Sequence, residues 1–530
     1  MTLTAAQRPR VVLFRHAPID RDTRAKKWAL TLDRVGYEVI VLSAEAADAE
    51  RRESTLAGVR IIHVPVPRTH VEANNARLIA NRRRRYPVLA PADPAGRSRA
   101  LSARSATLST ARRQAAALRQ KVSSPTSPAG AKALVKFGLK RTEVEARRAL
   151  LRLARSRNVG QAKVDVAVGA LWKQYDKQRV KTGLLAHPRN DLPEILDLDE
   201  ALRDLLIELR PDVLHAHHPF VLATAFTVRE ALRAQGHEAR VVYDARENFV
   251  GIPALEQGHP RRHAVLVAQE RAHIKDCAGV STVSEPIADV LRERYTLAVR
   301  PAVILNTPVL AADRSGPTVR AEIGLDAGVP LLVYSGTISH ARGIDTLVRG
   351  LEHLPGVHLV IVSVPFPHPS VPGLEDLAGE LGVGDRLHVL PPVGQSQLIH
   401  YLSGADVAVH PMPGGSPNHD QALPNKLFEY LHAGLPLVVS DARLMAEFVT
   451  THEVGHVFTT GDPVSYAAAV KAALDGGRRT GERVDELARE YSWEAQEERI
   501  RAYYESVTGH DGATPVGDLP SLDAEPNPAS

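Results

Sequence analysis

Apolar residues recur along this chain in two rhythms. Runs such as RVVLFRHA (10–17), EVIVLSA (38–44) and GVRIIHVPVP (58–67) are dense enough for strands buried on both faces. TRAKKWALTLDRVGY (23–37) instead repeats its apolar positions at helical spacing and closes on Gly36. Strand, helix, strand at this spacing is a βαβ unit and predicts a parallel sheet. The alternation continues through LDEALRDLLIELRPDVLHAHHP (198–219), FVLATAFTVREALRAQGHEARVVYDARE (220–247), a helix–strand–helix over 261–295, and RPAVILNTPVL (300–310). A second set starts at VPLLVYSGTI (329–338), passes through HLVIVSV (358–364) and SQLIHYLSGADVAVHPM (396–412), and ends in helices at 465–476 and 492–507. The fold class predicted is α/β, with two Rossmann-like parallel-sheet halves, 1–308 and 309–490. Between them lies a cleft at the carboxyl ends of the strands, where such sheets bind ligands.

Residues 68–190 break the rhythm. NRRRRYP (81–87), with Arg82, Arg83, Arg84 and Arg85, opens an Arg-, Ala- and Ser-rich stretch, and SSPTSPAGA (123–131) reads as a flexible break. TEVEARRALLRLARSR (142–157) and VAVGALWKQYDKQRVKTGLL (166–185) read as two basic amphipathic helices with Leu150, Leu151, Leu153, Leu171 and Trp172 on their apolar faces. The overall charge of +5 hides this block: 68–181 holds 27 Lys and Arg against six Asp and Glu, so the rest of the chain is acidic by about 16. A basic block in an acidic protein points to a polyanionic partner. An anionic membrane surface is the expected one, and nucleic acid is not. A solvated insertion with helices packed on its parent domain is the alternative. The tail 508–530, rich in Pro, Gly and Asp, is expected to be disordered.

At 530 residues and 44% apolar, the chain can fill two domain cores. Its single cysteine, Cys277, excludes an internal disulfide and fits a reducing compartment. With no apolar leader and no run near 18 apolar residues, the expected location is cytoplasmic, at the inner face of the membrane. No Cys/His cluster has metal-ligand spacing; HAHH (215–218) follows a strand instead of lying on a helix, and no metal or cofactor is expected.

The stretch ALPNKLFEYLHAGLPLVVSD (422–441) concentrates the candidate chemistry. Pro424 suits a helix start, Leu427, Phe428 and Leu431 form its apolar stripe, Gly434 suits the C-cap, and LVVS (437–440) is a buried strand. Lys426 and Glu429, at i and i+3, project to one face near a helix N-terminus that favours phosphate, and Glu429 can accept from a vicinal diol such as ribose. A surface ion pair is the competing reading of that spacing.

These pieces resemble, in order, the family 4 retaining glycosyltransferases, which have the two-domain GT-B fold. DTRAKKWALTLDRVGYEVIVLS is similar to the family's first helix and second strand, and DVLHAHHP, VVYDARE and STVSEPIADVL to later segments of its first domain. YSGTISHARGIDTLVRGL is similar to the G-x-x-x-x-x-[KR]-G turn, ALPNKLFEYLHAGLP to the P-N-K-x-x-E-Y-x-x-A-G-x-P block, and SWEAQEERIRAYYESV to the helix that crosses back to the first domain. About 390 residues are covered.

The resemblance implies transfer of a hexose from a nucleotide-diphosphate donor, with retention and without a metal, to an acceptor such as a cell-surface glycan precursor. It assigns the diphosphate to Arg342 and Lys426, a close backbone approach to Gly336, the ribose to Glu429, and donor contacts to Asn425 and Leu427. Two positions depart from the pattern. Gln421 stands eight residues before Glu429, where many members have an acid, which makes Gln421, Asn418 and Asp420 candidates for the sugar. Arg246 replaces the active-site His; it cannot act as a base but can bind an acceptor phosphate. Asp22, Arg24, His217 and His218 are further cleft candidates. The alternatives are a nucleotide-sugar epimerase of the same fold and a non-catalytic adaptor that binds membrane or nucleic acid through 68–181.

Overall fold

The computed structural model describes residues 8–85, 94–120, 122, 128–182, 187–252, 260–310, 315–339, 342–478, 482–515, 517, 519–520 and 522. Contacts divide the chain into two compact units, 1–68 with 180–530, and 69–179.

The larger unit has the two predicted sheets. The first holds β1 (Arg10–Arg15), β2 (Glu38–Glu45), β3 (Arg52–Leu56), β4 (Val59–Pro65), β5 (Val213–His217), β6 (Arg240–Ala245), β7 (Gly279–Thr282) and β8 (Ala302–Val303), in the order β3-β4-β2-β1-β5-β6-β7-β8. The second holds β9 (Leu331–Gly336), β10 (His358–Ser363), β11 (Leu387–Leu390), β12 (Val407–His410), β13 (Leu437–Ser440) and β14 (Gly455–Phe458), in the order β11-β10-β9-β12-β13-β14. Every pair is parallel except β3–β4. That hairpin turns through Ala57 and Gly58, both at positive φ, and its edge strand was not anticipated. Buried Val, Leu and Ile on both faces of each sheet explain the dense apolar runs.

The helix Thr23–Arg34 joins the halves. Arg24 donates to the carbonyls of Ile304 and Leu305, and Lys27 to Asn306 Oδ1 (3.0 Å) and the Thr307 carbonyl (2.5 Å), so this helix grips the link between the sheets. The helix Glu494–Thr508 packs against it through Trp493, Ile500 and Tyr504, beside Trp28. Trp493 donates to Thr31, whose hydroxyl donates to Glu497. Beyond Thr508 the described residues differ from the expected disorder. Leu519 and Leu522 are buried in this same cluster, the Ala513 N–H donates to the Val35 carbonyl, and Lys26 donates to the Leu522 carbonyl. Two apolar side chains and a few backbone bonds suffice to tie the segment down.

The smaller unit is helical: Thr69–Arg85, Pro94–Gln120 and the first part of Pro128–Thr182. The two stretches read as separate helices form one, because Gly160 interrupts the pattern without breaking the helix. Among its less exposed positions, Ala133, Phe137, Lys140, Val144, Arg147, Leu151, Ala154 and Asn158 alternate in steps of three and four. This is the spacing of a coiled-coil seam, and Val144 and Leu151 meet Leu108 and Ala111 of the helix Pro94–Gln120 there. Leu151 therefore faces inward, not outward with Leu150 and Leu153. The side chains of Arg82–Arg85, Leu171 and Trp172, and residues 123–127, lie outside the described residues.

Candidate active site

The second sheet supplies one rim. β9 ends on Gly336 at φ +149°, a conformation side chains rarely adopt; a Cβ there would lie 3.1 Å from Tyr334 Oη and 3.8 Å from Lys426 Cε. The chain then turns to Arg342, an exposed residue whose N–H donates to the Ser339 carbonyl. Gly343 follows at φ +72°, where a Cβ would meet the Pro411 carbonyl oxygen at 2.7 Å. Burial raises the Tyr334 hydroxyl's pKa, against the nearby Arg342 guanidinium, which lowers it.

Pro424 caps the helix Asn425–His432 from outside, one position earlier than expected, and the Tyr430 hydroxyl accepts from the Ser335 N–H to fix the helix against β9. Glu429 is 2% exposed. Its oxygens accept from Lys426 Nζ (2.9 Å) and Asn425 Nδ2 (3.0 Å), which excludes a surface ion pair. Each oxygen retains a lone pair for a further donor. Leu427 is fully buried in the core, so its side chain is not a ligand contact. It holds the helix in place instead.

The ends of β1, β5 and β6 supply the other rim. Asp244, fully buried, takes both forks of Arg24 (2.8 and 2.9 Å), Arg246 Nε (3.0 Å) and the Ser281 hydroxyl (2.9 Å). Asp22, which caps the helix it precedes, takes Arg246 Nη1 (2.6 Å) and Arg15 Nη1 (2.7 Å). Burial alone would raise both carboxyls; the neighbouring arginines hold each below the usual carboxylate range. Arg24 is thus consumed by Asp244 and the link, a structural role in place of the cleft contact anticipated. Arg15 and Arg246 keep 13% and 24% of their side chains exposed, and three guanidiniums face two carboxylates.

His217 lies within 2.5 Å of Arg246 Nη2 through Nδ1, and burial lowers its pKa to about 4. A neutral ring that accepts from Arg246 orients that guanidinium. His218, at φ +99°, lies tilted against the rings of His16 and Phe220, and burial likewise pushes its pKa well below the usual range.

The rims meet. The Asn248 N–H donates to Asn418 Oδ1 (3.1 Å), Asn248 Nδ2 to Gln421 Oε1 (2.9 Å), and the Ser284 hydroxyl to the Gln421 carbonyl (2.6 Å). Gln421 and Asn418, anticipated at the sugar, are engaged in bridging the halves here. Asp420 is engaged too, accepting from the N–H groups of Gly415 and Arg443.

Residues 315–491 match the family model described as glycosyl transferases group 1. This segment, about a third of the chain, is similar to the group 1 glycosyltransferase domain. A D-inositol 3-phosphate glycosyltransferase of Xylanimonas cellulosilytica is 30% identical over 232 residues, 42% of this chain and 54% of that protein. One from Thermomonospora curvata is 30% identical over 215 residues, 38% and 48% of the two chains. The chain thus spans about half the length of these curated relatives. The fold is GT-B: sucrose-phosphate synthase from Thermosynechococcus elongatus superposes with a TM-score of 0.61 at 15% identity, over 95% of this chain and 100% of that one. The matched segment carries Gly336, Arg342, Asn425, Lys426 and Glu429 around the end of β9.

The same domain holds a residue the sequence reading missed. His410 ends β12, is buried, and has no hydrogen-bond partner at either nitrogen among the described residues. Burial, then Arg342 and Lys426, lower its pKa to about 3, so it is neutral beside both cations. A polar residue closing an apolar strand, in AVHPM, was the available signal. Asn248 gave none, because its partners lie 170 and 173 residues away.

Proposed function

We propose that this protein transfers a hexose from a nucleoside-diphosphate sugar to an acceptor hydroxyl, with retention at the anomeric carbon. The observation that carries the reading is the buried Glu429 bonded to Lys426 beside the open backbone of Gly336, with Arg342 on the adjoining turn. When the bond from the anomeric carbon to the diphosphate breaks, negative charge grows on the leaving oxygen. Lys426 and Arg342 are placed to stabilise it, and fixed charges that need no reorganisation are the strongest catalytic device for such a step. Glu429 accepts from the ribose diol and orients the nucleotide. The acceptor oxygen forms the new glycosidic bond, and its proton passes to the departing diphosphate oxygen, so the nucleoside diphosphate leaves with it.

On the other rim, Arg15 and Arg246 are partly exposed and guanidiniums outnumber carboxylates, which supports an acceptor bearing an anionic group. The named substrate of the curated relatives, an inositol phosphate, is of that class. Because the two cations serve the leaving group, turnover is proposed to survive EDTA. The test is a thermal-shift screen of UDP-, GDP- and ADP-sugars, followed by product analysis with polyol and sugar phosphates. One donor family should raise Tm and yield an α-linked product from an α-linked donor. No shift with any nucleotide sugar, or release of free nucleoside diphosphate with the acceptor unaltered, would overturn it.

A further inference from the structure

The long helix Pro128–Thr182 has a second apolar face. Opposite the seam, Val135, Leu139, Leu150 and Leu153 are 65%, 68%, 59% and 51% exposed. With Thr142 and Ala146, also exposed, they fall in steps of three and four along about five helical turns. Among the described residues of the helical unit, none covers this stripe. The unit that carries it is cationic: residues 94–160 contain 16 Lys and Arg against two Glu. Both acids are already paired, Glu143 with Lys140 and Arg147, and Glu145 with Arg148.

We infer that this helix face docks on an anionic lipid surface, with the four aliphatic side chains entering the headgroup–acyl boundary. Charge selects among the occupants an apolar stripe can take. A second copy of the chain would bring the same excess of positive charge against itself, at a cost. A nucleic acid would satisfy the charge but leave four aliphatic residues in water. An anionic bilayer satisfies both, because each Lys or Arg near its surface adds attraction while the apolar side chains leave water. The inference goes beyond the transferase reading and does not rest on it.

The experiment is co-sedimentation of the full-length protein with vesicles of neutral phosphatidylcholine and of phosphatidylcholine with 30% phosphatidylglycerol. Val135→Ser/Leu139→Ser/Leu150→Ser/Leu153→Ser serves as the test variant. Circular dichroism checks that it stays helical, and nucleotide binding is measured in parallel. Expected are binding to the anionic vesicles only, a fall of at least tenfold between 50 and 500 mM NaCl as the Debye length shrinks, and a fall of at least tenfold in the folded variant. Lys136→Glu/Arg148→Glu/Arg152→Glu should likewise lose binding. Equal binding to neutral vesicles, unchanged binding by both variants, salt-dependent RNA binding without lipid binding, or a dimer that the serine variant dissolves would each overturn it.

Discussion

The two rims of the site both carry buried charge and use it in opposite ways. On the first sheet Arg24 and Asp244 are 2% and 0% exposed, and each guanidinium there reaches a carboxylate. On the second, Arg342 is exposed and Lys426, 20% exposed, shares a single buried carboxylate with Asn425. Taking an ion from water costs several kcal/mol, which is recovered only with good geometry and full hydrogen bonding. The first rim recovers it inside the protein and so forms a stiff frame that also grips the link between the sheets. The second leaves cationic capacity for a ligand. Equivalent substitutions on the two rims should therefore be read out differently, in stability on one and in nucleotide affinity on the other.

Asp244→Ala should give the largest effect. It strips Arg24 of its fork partner and Arg246 of one of its two carboxylates, and is expected to cost about 3–5 kcal/mol in chemical denaturation. A loss below about 1 kcal/mol would erase the contrast between the rims.

Lys27 sharpens it through pH. The ammonium lies 4.5 Å from the centre of the Trp493 ring, and burial, with Arg24 nearby, lowers its pKa to about 7. The unfolded chain, with an ordinary lysine, binds the extra proton up to about pH 10.5. The cost of charging Lys27 is therefore fully present below pH 7 and relieved as pH rises from there. The stability of Lys27→Met minus that of the parent should fall by roughly 3–4 kcal/mol between pH 7 and 10. A pH-independent difference would show that Lys27 stays charged throughout.

On the other rim, Lys426→Ala and Arg342→Ala should each weaken nucleoside-diphosphate binding by about 1.5–3 kcal/mol, the range for lost charge-assisted hydrogen bonds; Tm should hold in Arg342→Ala and fall in Lys426→Ala, which leaves the buried Glu429 to Asn425 alone. Glu429→Gln should cost about 1 kcal/mol and weaken the free nucleoside diphosphate as much as the sugar-bearing donor. If only the donor suffers, Glu429 lies at the sugar.

What the sequence disclosed follows the same division. Lys426 and Glu429 are three residues apart on one helix, so local spacing brought them together, and Gly336 and Gly434 marked their turns. The Arg24–Asp244 fork spans 220 residues, and the Asn248–Gln421 bridge 173, so no local pattern could pair them. Arg24 looked available for ligand because the carboxylate that holds it, Asp244, comes from another strand. The strand Arg52–Leu56 escaped notice because only Ser54 and Leu56 of its five residues are buried. Leu150 and Leu151 looked equivalent by hydropathy, and only the seam with Leu108 and Ala111 separates the inward one from the outward one.

The central claim is that the second rim holds the diphosphate of a nucleotide donor. Calorimetric titration of UDP, GDP and ADP into the parent and into Lys426→Ala/Arg342→Ala tests it most directly. One nucleotide should bind the parent, and the double variant, folded at the titration temperature by circular dichroism, should lose at least a hundredfold in affinity, equivalent to about 2.7 kcal/mol. Binding of the same nucleotide with equal affinity to both proteins would contradict the account.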